Sequence, residues 1–444
     1  MVVRMFMKRR KQPVEAKIVS ETDDFITIRI PKRAGESMLE TEKAIQTGLN
    51  EAGVLATAAA LKRYDTDGKP IIVDGVKMTS VGPHHKIYQT PYGPVEVTRH
   101  IYQTSQGGKT FCPLEKEARI VITATPHFAK IVSSKFAGDN TREVVRDLKE
   151  NHGRYISLCL VQNIAEAVGT ISQAAEENWS FLAPEQKVPV KTISIGIDGT
   201  CMLTVDGGWR QAMVGTVALY DRKGERLHTT YIGAAPEFGR ETFLEKMQKE
   251  IQMAKIRYPR ALTMGLADGA PSNWEFLERH TEMQILDFYH ASEYLTKVAD
   301  VVYEKESEER EDWLAKVCHR LKHEYSGPKS VIREMAHLAK STKLRKADRE
   351  VILGAIQYFR KNQHRMPYAL QVSCRRPIGS GVTEAACKVI IKQRLCCSGM
   401  KWKAPGASVV ISLRTLHETE GRWEQFWQKT QEVGYPDGWE GTCS

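Results

Sequence analysis

Paired cysteines are missing from this sequence. Its nine cysteines (112, 159, 201, 318, 374, 387, 396, 397 and 443) form no C-x-x-C, which removes the zinc-ribbon and thioredoxin-like readings. Cys396-Cys397 is a vicinal pair that would strain a disulfide, so the set reads as scattered reduced thiols. Long apolar runs are missing too: none approaches the roughly 18–20 residues of a membrane span. The opening Met-Val-Val-Arg-Met-Phe-Met-Lys-Arg-Arg-Lys turns basic before a signal-peptide apolar region can form, so the expected setting is intracellular and soluble. There is no internal repeat and no low-complexity tract. The most local shortage is of acid. Between Val351 and His417, 67 residues hold eleven Lys/Arg (360, 361, 365, 375, 376, 388, 392, 394, 401, 403 and 414) and one acid, Glu384. At the chain's own rate of 54 acids in 444 residues, about eight would fall there. Lys and Arg without nearby carboxylates suit a surface that lies against a polyanion, because phosphate contacts release counterions. A lone Glu kept inside that field needs a reason of its own.

What is present is ordinary globular material: 41% hydrophobic, 27% charged, a net charge of +10 and length enough for two to four domains. Residues 1–118 read as a mixed α/β region. Ser37-x-x-Glu40 is a capping box for a helix to about Tyr64, and hairpins turn at Asp74-Gly75 and at Pro91-Tyr-Gly93. Residues 119–185 become helical: Thr141–Leu148, the turn Asn151-His-Gly153, then Ser157–Val168. That spacing is read as a helix-turn-helix-like DNA-binding region, with an αα-hairpin of a bundle as the alternative. Over 186–290 the pattern is three strands in a meander (Thr192–Asp198, Ala212–Tyr220, Leu227–Ile232), a helix (Glu241–Ile256), a strand (Leu262–Ala267), a short helix and a strand (Met283–Leu286). This order predicts an α/β fold with an RNase H-like catalytic core. Residues 291–372 read as helical and charged, 373–416 as the basic stretch with a helix from about Val382 to Leu395 and another from about Ala407, and 417–444 as a tail.

Asp198 and Asp268 each follow an apolar strand and precede a glycine. One strand-terminal Asp-Gly is ordinarily a turn, but two in these slots would face one crevice at the carboxyl ends of the strands. With Glu384 they make three carboxylates, which repel one another unless they bind hard cations such as Mg²⁺ or Mn²⁺. Two such ions about 3.5–4 Å apart serve phosphodiester chemistry by activating the attacking oxygen and stabilising the leaving one. Lys388 and Lys392 fall on the helical face of Glu384, and Arg394 lies nearby. These three, with Lys401, Lys403, Arg375 and Arg376, are the candidate DNA contacts.

Three segments carry a family resemblance: Ile197-Asp-Gly-Thr200, Leu266-Ala-Asp-Gly-Ala-Pro-Ser-Asn-Trp274, and Gly379-Ser-Gly-Val-Thr-Glu-Ala-Ala-Cys-Lys388 with Gln393-Arg394 and Ser398-Gly-Met-Lys-Trp402. The tail Gly421-Arg-Trp-Glu-Gln-Phe-Trp427 fits as well. Over about residues 120–430 the chain resembles the DDE transposases of bacterial insertion sequences, most closely the ISKra group. The resemblance implies a catalytic, metal-holding triad of Asp198, Asp268 and Glu384, with Asp287 and His290 as an Asp-x-x-His neighbour of the active site. His290 reads alternatively as a structural histidine at the sheet edge. The 93 residues between His290 and Glu384 would hold an all-helical insertion. Where the family carries a paired-cysteine ribbon, Tyr102–Leu114 holds only Cys112, so no zinc is expected.

The resulting expectation is a transposase that uses two Mg²⁺ ions (or Mn²⁺) to cleave transposon ends and join them to target DNA. It would act as a homo-oligomer on DNA, cytoplasmic and nucleoid-associated, away from membranes. A catalytically inactive DNA-binding descendant and an RNase H-like nuclease without strand transfer compete with it. His319-x-x-x-His323 lies on a charged helix without an acid–base motif, His84-His85 is not His-x-His, and Gly379-Ser-Gly381 is no phosphate loop, so none of them redirects the reading.

Overall fold

The computed structural model describes residues 15–33, 35–237, 240–342 and 344–436. The chain is mixed α/β and divides into two compact units, residues 1–174 with 427–444, and residues 175–426. Among the described residues no helix is long and apolar enough to cross a membrane.

The first unit opens with a hairpin, β1 (Lys17–Glu21) and β2 (Ile26–Arg29), which the sequence pattern does not announce. Helix α1 (Met38–Lys62) starts where expected, with the Ser37 hydroxyl accepting from the Glu40 N–H at 3.3 Å. The Glu40 carboxylate closes the cap one residue early, on the Glu36 N–H at 2.8 Å. A four-stranded antiparallel sheet follows in the order β3 (Ile71–Val73), β4 (Val76–Gln89), β5 (Pro94–Thr104), β6 (Gly107–Phe111). Its first turn is Asp74-Gly75, both at positive φ (50° and 79°), the backbone a tight two-residue hairpin requires. Helices α2 (Pro113–Glu117), α3 (Pro126–Gly138), α4 (Thr141–His152) and α5 (Leu158–Asn178) come next. Asn140 caps the start of α4, and left-handed Gly153 ends it, so the predicted helix, glycine turn and helix are present.

The second unit is built on a five-stranded sheet. Strands β7 (Thr192–Thr204), β8 (Gly208–Tyr220) and β9 (Arg226–Ala234) form the antiparallel meander. After α6 (Glu241–Arg257), β10 (Leu262–Ala267) lies parallel to β7; after α7 (Pro271–His280), β11 (Met283–Leu286) lies parallel to β10. The spatial order is β11-β10-β7-β8-β9. Strand β7 as far as Ile197 and nearly all of β10 are buried, because both faces of the sheet are covered there. Ile193, Ile195 and Ile197 join Phe243, Met247 and Ile251 of α6 in the main core.

The chain from 288 to 373 is helical, as expected: α8 (Phe288–Val302), α9 (Glu308–His323), α10 (Gly327–Leu338), α11 (Lys346–Asn362) and α12 (Tyr368–Ser373). Their buried Leu295, Val317, Met335 and Phe359 belong to the same core as the sheet. Then come α13 (Gly381–Ala386), a π-helical turn (Cys387–Lys392), α14 (Gln393–Leu395), α15 (Ala404–Glu418) and α16 (Arg422–Val433). The glutamate-bearing helix seats itself where the sheet is thinnest: a Cβ on Gly196 would lie 1.9 Å from the Thr383 hydroxyl, and that hydroxyl bonds Thr216 Oγ1 at 2.8 Å.

Candidate active site

Three aspartates stand just past the parallel-paired stretches of three adjacent strands. Leu266 pairs with Gly196 and Ala267 with Leu286, so the same register carried onward brings Asp268 level with Asp198 on one side and Asp287 on the other. The Asp287 N–H donates to the Ala267 carbonyl at 2.9 Å. The position of Asp198 differs from the sequence expectation in one respect. Strand β7 does not end there but runs to Thr204, because its parallel pairing stops at Gly196 while its antiparallel partner β8 continues. Asp198 therefore marks where the five-stranded sheet gives way to a two-stranded ribbon.

Each carboxylate has its own surroundings. Asp198 is half-buried; Oδ1 accepts from the Gly199 N–H at 2.6 Å and Oδ2 from the Cys387 thiol at 3.4 Å. Burial first, and the Asp198 charge second, raise the Cys387 thiol well above its ordinary range, so it stays protonated and donates. Asp268 is exposed, and its Oδ1 accepts from the Ala270 N–H at 3.2 Å. Its own carbonyl accepts from the Tyr358 hydroxyl at 3.2 Å, and a Cβ on Gly269 (φ 110°) would crowd that same hydroxyl. Tyr358 is stacked on Tyr294, and its hydroxyl is held un-ionised chiefly by burial.

Asp287 is fully buried and caps α8. One of its oxygens accepts from the His290 N–H at 2.8 Å, the other from the Ser380 N–H. Ser380 in turn donates its hydroxyl to Glu384 Oε1 at 2.8 Å, and His290 Nε2 stands 4.0 Å from the same oxygen. The Asp287–Ser380–Glu384 chain fixes the loop ahead of α13 and aims an otherwise exposed Glu384. His290 is thus a neighbour of Glu384, with its other ring nitrogen 3.5 Å from Glu293.

Asp198, Glu384, Cys387, Lys388 and Lys392 line one open cleft. Asp268 does not line it, and neither do Arg375 and Arg376. The Arg375 carbonyl packs instead against Gly224 in the β8–β9 turn. Arg394 corrects the expectation of a phosphate contact: it is 3% exposed, with its guanidinium over the Trp402 ring at 5.5 Å. Arg414, counted in the basic stretch, is also buried, and its Nε donates to the Val389 carbonyl at 3.0 Å. A π turn leaves carbonyls without their usual helical partner, and Arg414 satisfies this one. Lys401 and Lys403 are exposed.

As a donor set, Asp198, Asp268 and Glu384 offer only hard oxygens, which fits Mg²⁺ or Mn²⁺ and disfavours zinc. Among the described residues no three His, Cys, Asp or Glu side chains stand close enough to hold an ion together. Asp268, whose Oδ1 accepts from the Ala270 N–H, keeps its Oδ2 clear of that bond. Ser380 and Cys387 are site residues that sequence reasoning missed. Their signal was available: they lie four residues before and three after Glu384, hence on its side of a helix. Compared with known proteins, the chain matches no family model and no curated protein.

Proposed function

We propose that this chain is a DDE-type DNA transposase with an RNase H-like catalytic core. The observation that carries the reading is the pairing of topology with carboxylates. An antiparallel meander is followed by two strands parallel to its first, Asp268 directly follows β10 in a register that, carried onward, sets it level with Asp198, and Asp198 and Glu384 line one cleft with Lys388 and Lys392. The long helical segment between His290 and Glu384 takes the place of the insertion that the resemblance implies.

In the proposed reaction water hydrolyses the phosphodiester at a transposon end, and the freed 3′-hydroxyl then attacks a target phosphodiester. Asp198, Asp268 and Glu384 would hold two Mg²⁺ ions, which supply activation of the attacking oxygen and charge stabilisation of the leaving one. Lys388 and Lys392 bind the phosphates of the strand in the cleft. Ser380 keeps Glu384 pointed inward, Cys387 keeps Asp198 oriented, and Asp287 holds the loop from which α13 springs. The helices of the first unit and the exposed cations Lys401 and Lys403 serve DNA binding, and two ends handled together call for a homo-oligomer on DNA.

The test is a supercoiled plasmid that carries the DNA flanking the coding region. Nicks and joined products formed in Mg²⁺ and abolished by EDTA are expected. Nicks without joined products would leave a nuclease, and binding without nicks a DNA-binding protein.

A further inference from the structure

Beyond Asp198 the β7–β8 ribbon continues for six residues, about 20 Å at strand rise. At its tip a third short strand joins: Thr204 bridges Trp402, the Trp402 N–H donates to the Leu203 carbonyl at 3.1 Å, and the Val205 N–H to the Trp402 carbonyl at 2.9 Å. Side chains alternate between the two faces of such a sheet, so the register sorts them. Asp198, Met202, Thr204 and Trp402 share one face, and there the Trp402 indole donates to the Leu395 carbonyl at 2.8 Å. That face is occupied by the glutamate helix. On the other face Leu203 lies opposite Trp209, and Lys401 and Lys403 flank it from the third strand.

This second face is open. Trp209 is 67% exposed and Val205 50%, and Lys401 and Lys403 are exposed on the same face. Arg210, paired with Met202, lies on the first face, and Asp206 is the acid of the turn that joins the two strands. A bare indole with two lysines to one side of it matches a strand of nucleic acid, in which a base presents a flat face and phosphates follow at each step. A protein partner fits less well, because lysine is depleted at protein interfaces. A paired duplex does not offer the face of a base.

We propose that the tip of the β7–β8 ribbon is a stacking platform for an unpaired DNA base: Trp209 stacks on the base, and Lys401 and Lys403 hold the adjoining phosphates. The proposal rests on the transposase reading only in taking DNA to be the ligand of the neighbouring cleft.

The experiment measures binding of a fluorescent single-stranded 20-mer of thymidylate, and of a blunt duplex of equal length, by the full chain in EDTA. Trp209→Ala should weaken single-strand binding about tenfold, while Trp209→Phe retains most of it. Duplex binding should be unchanged by either. Lys401→Gln with Lys403→Gln should lower the log–log salt slope by about 1.4, at about 0.7 for each phosphate no longer neutralised. Unchanged single-strand affinity in Trp209→Ala overturns the proposal, as does an equal loss on the duplex. Dissociation of a dimer by Trp209→Ala, with thymidylate binding intact, also overturns it and makes the face a contact between copies. Because no metal is present, the result is independent of nicking. A chain that never nicks but shows these losses keeps the platform and loses the transposase; one that nicks and shows none does the reverse.

Discussion

Residues 381–395 present two faces to two different environments. The outward face carries Glu384, Lys388 and Lys392, all exposed along one cleft. The inward face carries Thr383 against Thr216, buried Ile390 and Ile391, and buried Arg394 over Trp402, while Cys387 sits at the edge of the cleft against Asp198. Charged groups appear on both sides and do different work. A cation in the cleft keeps its charge available for a ligand, whereas Arg394 and Arg414 commit theirs to a ring and to the carbonyl of a π turn. The carboxylates divide in the same way. Asp287 is fully buried with an N–H on each oxygen, while Glu384 keeps an oxygen for the cleft. The eleven cations of 351–417 are therefore of two kinds, some exposed along the cleft and some, such as Arg394 and Arg414, held in the interior.

The comparison breaks most visibly at the outward carboxylates. Asp198→Asn, Asp268→Asn and Glu384→Gln are nearly isosteric, so each should fold yet lose about a thousandfold or more in Mg²⁺-dependent nicking, with losses that do not add. A thermal melt beside the nicking assay checks both halves of that statement. On the buried side the cost should be stability. Arg414→Met strands the Val389 carbonyl and should cost about 2–3 kcal/mol in denaturant unfolding, where Lys388→Gln and Lys392→Gln stay within about 0.5 kcal/mol. Asp287→Asn keeps one acceptor and loses the other, for about 1–3 kcal/mol. Because Asp287 acts through Ser380, residual nicking in that variant should show a raised Mg²⁺ requirement, which a purely structural loss would not produce. The smallest effect is ionic: Lys388→Glu with Lys392→Glu should lower the log–log salt slope of duplex binding by up to about 0.9 for each phosphate no longer neutralised. An unchanged slope would mean that the outward face meets protein or solvent.

Much of this architecture was legible in the sequence. Ile193, Ile195 and Ile197 at period two, and Phe243, Met247 and Ile251 at helical spacing, set the strand and helix order, and Ser37 and Gly153 marked two helix ends. What was not legible depended on partners far away in sequence. The continuation of β7 past Asp198 is set by β8, whose residues 208–211 precede the strand read over Ala212–Tyr220. Arg394 is misplaced by the assumption of a regular α-helix. At about 100° per residue it would lie some 80° from Glu384; the extra residue of the π turn at Cys387–Lys392 carries it to about the opposite side. The buried role of Arg414 could not be read either, since only the π turn creates the carbonyl it serves. Asp287 is as acidic and as strand-terminal as Asp268 in the sequence, and only the fold shows that it is buried with an N–H on each oxygen while Asp268 is exposed.

The central claim is that three carboxylates, one of them now turned to the Ala270 N–H, act as a single metal-binding set. Counting Mn²⁺ bound by electron paramagnetic resonance, in the wild-type chain and in Asp268→Asn with duplex DNA present, tests it most directly. The account predicts that Asp268→Asn loses bound Mn²⁺ as Asp198→Asn does. Undiminished Mn²⁺ binding in Asp268→Asn, alongside its loss in Asp198→Asn, would contradict it.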